Sequence, residues 1–476
     1  MIAVITLTLK YITTYLLSSL IVFHAIKKYT SSFYNEDNFI IILSVIVGPL
    51  LLSWLFIQFI RFFPYYSDLT YISLLTITAL SFLLILCPNL KNLFPWPNFA
   101  SFQLYTWYDK IALCAIVIIV GFVFFYFLAF SFIENDPLDY LFLAKLILEK
   151  KTVDFYPAMD GINTHGMISP FTHPLGFPGF FAINMLGIDD YNAAVFAVKL
   201  ACGYYLIISL IFFTHISSEF HYSNIYIASL IYISTPFILL LTIRCHIDPY
   251  RILLFTLSVF TAHKILKKTT EAEFILLGVI TGLSWFIHSS GILNVFIAVG
   301  LSCLYTVFNK GFLTSIKLGL WALLGCLVLL TVDLLHIYKA TGRIIGDTEN
   351  IEVMTLLLEH YKNFWHAFRE IGSLTDNLMK FNVLFLEIQL FGITYTIFII
   401  AVAFIFIKIR SLKLNDMRIF ALLAITAFYG IAIFFTLINV QVFIFNPRYL
   451  LQPIGLICLF AAAIFNSGEN RNAENN

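Results

Sequence analysis

About thirteen stretches of roughly 20 apolar residues, none with the alternation of a strand, follow one another along this 476-residue chain. Each is long enough to cross a ~30 Å hydrocarbon core as a helix and too long for a barrel strand. Backbone polar groups in lipid must be satisfied within the segment, so the spans are expected to be helices. Composition agrees: 60% of residues are hydrophobic and 12% charged, with mean hydropathy +0.91. A soluble domain is about half apolar and a quarter charged. Lipid is therefore part of the solvent, and the expected fold is an all-α polytopic membrane bundle.

The runs lie at 3–26, 38–60, 69–88, 111–133, 191–214, 223–243, 250–266, 274–290, 291–308, 312–335, 382–407, 419–438 and 449–466. Ser289-Ser290-Gly291 favours two spans over one in the 274–308 region. No small-residue cleavage site precedes Lys27–Lys28, so the first run reads as a span and not as a signal peptide. Orientation follows from lysine and arginine in short loops. One set of loops carries Lys27–Lys28, Lys91 with Lys110, Lys264 with Lys267–Lys268, Lys310 with Lys317, and Lys408, Arg410, Lys413 and Arg418. The alternate short loops carry only Arg61, Arg244 and Arg448. The lysine-rich side is expected to be cytoplasmic, with the N-terminus outside and the C-terminal tail inside. Two long polar segments, about 134–190 and 336–381, then face outward, and chemistry is expected there. The net charge of +1 without a basic tail or stripe argues against nucleic acid. The seven cysteines, among them Cys114, Cys202, Cys303, Cys326 and Cys458, show neither metal spacing nor a disulfide framework.

The fourth span runs into Phe132-Ile-Glu-Asn-Asp-Pro-Leu-Asp-Tyr140, crowding Glu134, Asp136 and Asp139 at a membrane rim. Charge there is costly, and a cluster points to function. Helix capping accounts for Asp136 before Pro137, and poorly for the other two acids. The following stretch, Leu138 to Lys150, reads as an amphipathic interfacial helix, with Tyr140 and Ala144 on one face below Asp136. Next comes Ser169-Pro-Phe-Thr-His-Pro-Leu-Gly-Phe-Pro178, read as a rigid non-helical track ending where apolar residues resume at Phe180. His173 either sits in a structural turn or faces the same cavity as Asp136.

Asp136-x-x-x-Tyr140-x-x-x-Ala144, followed by His173-Pro-x-x-x-Pro178 and a span, resembles the first outer loop of GT-C glycosyltransferases. More narrowly, it is similar to the protein-mannosyltransferase and aminoarabinose-transferase branch, which typically reads Asp-Glu-x-x-Tyr and His-Pro-Pro-Leu-Tyr-Pro. Here Pro137 stands in place of the second acid, leaving Glu134 or Asp139 as substitutes, and Leu175 and Gly176 replace Pro and Leu. Arg244-Cys-His-Ile-Asp248-Pro249 resembles the family's Asp-Pro pair at a helix start. Asn446-Pro-Arg448-Tyr449-Leu-Leu-Gln452-Pro resembles its late Pro-Arg-Tyr-Leu-Leu-Pro element, with Gln452 inserted. Gly278 to Gly291 loosely matches a Gly-rich helix ending Lys-Pro-Thr-Gly, here His288-Ser-Ser-Gly291 without the lysine. The resemblance implies extra N-terminal helices over 1–109, a GT-C-like catalytic core over 110–466 and a short cytoplasmic tail over 467–476.

It also implies transfer of a sugar from a polyprenyl-phosphate donor to a hydroxyl of a lipid, glycan or protein acceptor on the extracytoplasmic face of the membrane; the short loops and the absence of a soluble domain point to a bacterial inner membrane. Asp136 is then the general base, with inversion at the sugar carbon. Arg448, or Arg244 and Arg251, would meet the departing phosphate, unless these arginines merely snorkel to the interface. Glu134, Asp139, Tyr140, His173, Asp248 and Tyr449 complete the expected substrate site, and His246 and His288 are candidates to line it. Neither a metal nor another cofactor is expected. The rival expectations are a transporter or flippase for lipid-linked sugars, disfavoured by the lack of paired repeats, and a polysaccharide polymerase or ligase. The 336–381 segment carries apolar residues at helical spacing, from Ile351 to Phe368, and is expected to pack a helix on the outer face.

Overall fold

A computed structural model describes residues 2–30, 33, 36–87, 93, 106–130, 135–156, 174–220, 224–341, 392–408, 417–437 and 450–465. Every regular element among them is helical. In chain order they are α1 (Ile2–Tyr11, continued through a π-helical stretch, Ile12–Leu17, into Ser18–Tyr29), α2 (Asp37–Phe62), α3 (Asp68–Leu86) and α4 (Trp107–Ala129). Then come α5 (Asn135–Lys150), α6 (Gly176–Met185), α7 (Tyr191–Glu219), α8 (Ile227–Ser234), α9 (Pro236–Ile243) and α10 (Asp248–Ile265). The series ends with α11 (Glu271–Ile287), α12 (Ser289–Lys310), α13 (Phe312–Thr341), α14 (Thr394–Lys408), α15 (Met417–Leu437) and α16 (Ile454–Ala462). Seven helices, α1 to α4, α7, α12 and α13, are long and apolar enough to cross a membrane, so the chain is an integral membrane protein.

The other expected spans are helical over shorter or more polar stretches. The 223–243 span is not continuous: it breaks at Thr235, whose backbone is extended (ψ 117°). Pro236 disfavours a helical residue before it, and the Thr235 hydroxyl bonds back to the Ile231 carbonyl at 2.8 Å. The 274–308 region divides as its serine-glycine break implies, with α11 ending in an extended His288. The expected rigid track is partly helix, because α6 begins at Gly176. Pro178 fits the first turn, where no intrahelical partner is lost.

The described residues group into two compact units. The first contains Met1–Pro97, Ser131–Cys202 and Lys264–Glu370. The helices that the sequence sets apart over 1–109 therefore share a unit with α5, α6, α11, α12 and α13. Its tightest seam joins α11 and α13 through glycine. A methyl group on Gly278 would overlap the Ala322 carbonyl, and one on Gly282 would lie 3.0 Å from the Cys326 Cα. Small residues permit such close approach where lipid supplies no hydrophobic drive between helices.

Charges in this unit sort by helix end. At one end Glu36 meets Lys264 at 2.8 Å and Lys267 at 3.0 Å, Lys27 pairs with Asp37, and Lys317 with Glu271. At the far end of α2, about 36 Å away at 1.5 Å per residue, Arg61 reaches Asp333 of α13 at 2.6 Å and Gln58 at 2.8 Å. One turn below, the Trp54 indole donates to the Leu329 carbonyl at 2.8 Å. Residues 54, 58 and 61 share one helix face, so they form a polar seam along α13.

The second unit contains Asn98–Phe130, Gly203–His263 and Ile371–Asn476. Thr106 caps α4 by accepting the Asp109 amide at 3.0 Å. Gly455 lets α16 lie against Thr256 of α10 and Phe213 of α7. Helix α10 starts in this unit, and its last residues belong to the first.

Candidate functional site

The turn between α9 and α10 is built by a helix C-cap. The Cys245 amide bonds to the Thr242 carbonyl at 3.0 Å, and the His246 amide to the Leu241 carbonyl at 2.9 Å. This pair of bonds is a Schellman motif, whose left-handed position favours glycine. Here Cys245 occupies it, with φ +54°. The turn delivers His246 beside the first residue of α10, Asp248.

His246 Nδ1 lies 2.7 Å from Asp248 Oδ2, and Arg251, one turn into α10, contacts Oδ1. All three side chains are at most 2% exposed. The imidazole and the carboxylate are thus held in close contact, with Asp248 shared between His246 and Arg251. Asp248 also sits at a helix N-terminus, where the helix dipole favours negative charge. Tyr250, buried in the same turn of α10, packs its ring at a tilt against Tyr205 of α7, with ring centres 4.8 Å apart. Arg244 is half-buried at the C-cap of α9. Asp248, Arg251 and His246 are thus brought together, and Arg251 is engaged by Asp248.

The first unit carries the other candidates. Helix α5 begins at Asn135, so Asp136 stands in the first turn and not before it. The side chain of Asp136 lies outside the described residues, as do Glu134, His173, Arg448, Tyr449 and the 342–391 segment. Asp139 is half-exposed, and Tyr140 and Ala144 are fully buried on one face. The Tyr140 ring meets the edge of Phe177 at 5.2 Å. All ten residues of α6 are buried. Gly176 at its start rests on the backbone of Phe286, two residues before His288. His288 is buried, and its Nδ1 accepts the Ser290 amide at 3.0 Å. That bond leaves Nε2 as the hydrogen-bearing nitrogen of the neutral ring.

Tyr156 and His336 stand beside the Arg61–Asp333 pair. Tyr156 is buried, and burial together with the Asp333 charge pushes its hydroxyl well above the usual tyrosine range. His336 Nε2 bonds to the Tyr156 carbonyl. Sequence reasoning gave Arg61 and Asp333 no site role, although each is a charge at a span end, the signal that marks such residues. Among the described residues, no group of three or more His, Cys, Asp and Glu is arranged to hold a metal ion.

These clusters share one property. Asp248 lies 16 residues before Lys264 on α10, and Asp333 lies 16 residues after Lys317 on α13, each about 24 Å from its lysine. His288 follows Glu271, the partner of Lys317, along α11 by about 25 Å. Each of these polar groups thus stands at the end of its helix opposite Lys264 or Lys317. No known protein family, curated protein or solved structure matches this chain.

Proposed function

We propose that the chain is a glycosyltransferase of the GT-C type, moving a sugar from a polyprenyl-phosphate carrier to an acceptor hydroxyl on the extracytoplasmic side of the membrane. The observation that supports it best is the segregation just described: Asp248 with His246 and Arg251, Arg61 with Asp333, and His288 each stand at a helix end remote from the cluster of Lys27, Lys264, Lys267 and Lys317. Positive-inside topology makes the lysine ends cytoplasmic. All of the expected thirteen or so spans, including those represented by the shorter helices, belong to this reading.

The carrier's tail stays in the bilayer, and its phosphate and sugar lie at the rim. Asp136, in the first turn of α5, takes the proton of the acceptor hydroxyl. The acceptor oxygen bonds to the anomeric carbon as the bond from that carbon to the phosphate oxygen breaks on the opposite face, inverting the centre. The phosphate leaves with the bonding electrons. Arg448 and Arg244 are the cations for its charge, because a guanidinium matches phosphate oxygens in a fork. Arg251 acts through Asp248 instead, holding the carboxylate that fixes His246. Glu134, Asp139, Tyr140, His173 and Tyr449 complete the substrate site.

The test is transfer by purified protein in liposomes containing polyprenyl-phosphate sugars, wild type against Asp136→Asn. A loss of about 100-fold or more in kcat, within the range of general-base catalysis, is expected. Normal transfer by the variant would remove Asp136 from the role of base. Translocation of the sugar-lipid without transfer would replace the enzyme with a flippase.

A further inference from the structure

Three helix ends in the first unit meet at one carboxylate. Asp68 opens α3, where the Ser67 side chain caps the Thr70 amide. Asp68 Oδ1 pairs with Lys151, the residue after α5, and Oδ2 accepts the Gly187 amide, just beyond α6, at 2.9 Å. The carbonyl ends of α5 and α6 are therefore tied to the N-terminal end of α3. The signs suit the helix dipoles: the carboxylate stands at an N-terminus and the ammonium at a C-terminus.

A second lysine completes the join. Lys10 lies inside the first span and is 2% exposed. Its ammonium donates to the Asn184 carbonyl at 2.8 Å and the Leu186 carbonyl at 3.0 Å, the last turn of α6. It also lies 4.4 Å from the centre of the Tyr11 ring and feels the Asp68 charge. Tyr15 donates to the Asn184 side chain at 2.7 Å. A buried ammonium within a span is costly unless it is used, and here its hydrogen bonds go to the end of α6.

The backbone is strained at the same place. Tyr65 and Lys151 both have left-handed φ, +68° and +53°. The Tyr65 amide donates to the Lys151 carbonyl at 3.0 Å. Non-glycine residues hold such angles only where surrounding contacts over-determine them. Along α6, Gly179 lies against Ile57 of α2, close enough that a side chain would collide.

We propose that the three N-terminal helices are a clamp for the α5–α6 pair, with Asp68 and Lys10 as its positioning residues. They hold the C-terminal ends of both helices, so that the opposite ends, with Asp136 and Tyr140 on α5 and Gly176 against Phe286 on α6, keep one geometry. Helices that look like additions in the sequence thus set the helix pair on which the proposed base stands. The link to catalysis rests on the function proposed above; the clamp itself does not.

The test is hydrogen exchange of the purified full chain, read by mass spectrometry, for wild type, Asp68→Asn, Asp68→Glu and Lys10→Met. Asp68→Asn keeps an acceptor for the Gly187 amide but removes the charge facing both lysines. Both Asp68→Asn and Lys10→Met are expected to speed exchange over 180–188 about tenfold, as expected when one local unit opens, while α13 keeps its protection. Asp68→Glu is expected to recover most of the protection. Unchanged exchange in both variants would overturn the clamp. An equal loss in α13 would also overturn it, because the charges would then serve overall stability. In the transfer assay the same two variants are expected to lower kcat about tenfold with KM within about twofold, the signature of lost transition-state geometry. A change in KM alone would sever the clamp from catalysis. Absence of transfer by wild type would sink the proposed function and leave exchange to decide the clamp.

Discussion

At the scale of the residue, two positions set their own costs. Cys245 holds a left-handed backbone that glycine adopts freely. Cys245→Gly is expected to stabilise the protein by about 1 kcal/mol, the lower range of that strain, read as a rise in thermal midpoint in detergent. Cys245→Val, β-branched at the same angle, is expected to lower it. The Arg61–Asp333 pair behaves differently, because its charges are 9% and 7% exposed. Removing Asp333 alone leaves a buried guanidinium, and Asp333→Leu is expected to cost about 3–5 kcal/mol. The double variant Arg61→Met with Asp333→Leu removes both charges and is expected to recover most of that loss. A double-mutant cycle in denaturant checks it, and additive losses would show that the pair is not coupled.

At the scale of the element, glycine and proline decide where helices meet and where they stop. The α11–α13 seam closes because Gly278 presents no side chain to the Ala322 carbonyl. Gly278→Ala is expected to force the two helices apart and cost about 1–3 kcal/mol, as for other overpacked cores, measured by thermal unfolding. An unchanged midpoint would show that the seam has slack. Pro236 was visible in the sequence, yet the 223–243 stretch reads as one span on hydropathy, which is insensitive to a single break. The Tyr140–Ala144 face of α5 was legible from spacing, since residues four apart share a face whatever lies opposite. That Phe177 is what lies opposite was not.

At the scale of the whole molecule, the polarity of the spans can be tested without knowledge of the substrate. Tyr65 is 72% exposed, at the α2–α3 turn, and Lys267 is exposed at the lysine end. In a background without the exposed Cys114, Tyr65→Cys is expected to react with a membrane-impermeant maleimide in intact cells. Lys267→Cys is expected to react only after permeabilisation. The reverse pattern would invert the topology and overturn the proposed extracytoplasmic site.

The apolar runs, read alone, determined that this is a helical membrane protein, because the match between run length and bilayer thickness belongs to each segment by itself. They also carried the charge asymmetry, since lysine placement relative to a span is a local property. The partners of the charges were decided only by tertiary structure. Asp68, Lys10, Lys151 and Gly187 are separated by tens to more than a hundred positions, and no local pattern joins them. Helix α6 was legible only as an apolar stretch after a motif. Its complete burial depends on surfaces contributed by α2, α5 and α11, and whether a short apolar helix faces lipid or protein is decided by its neighbours.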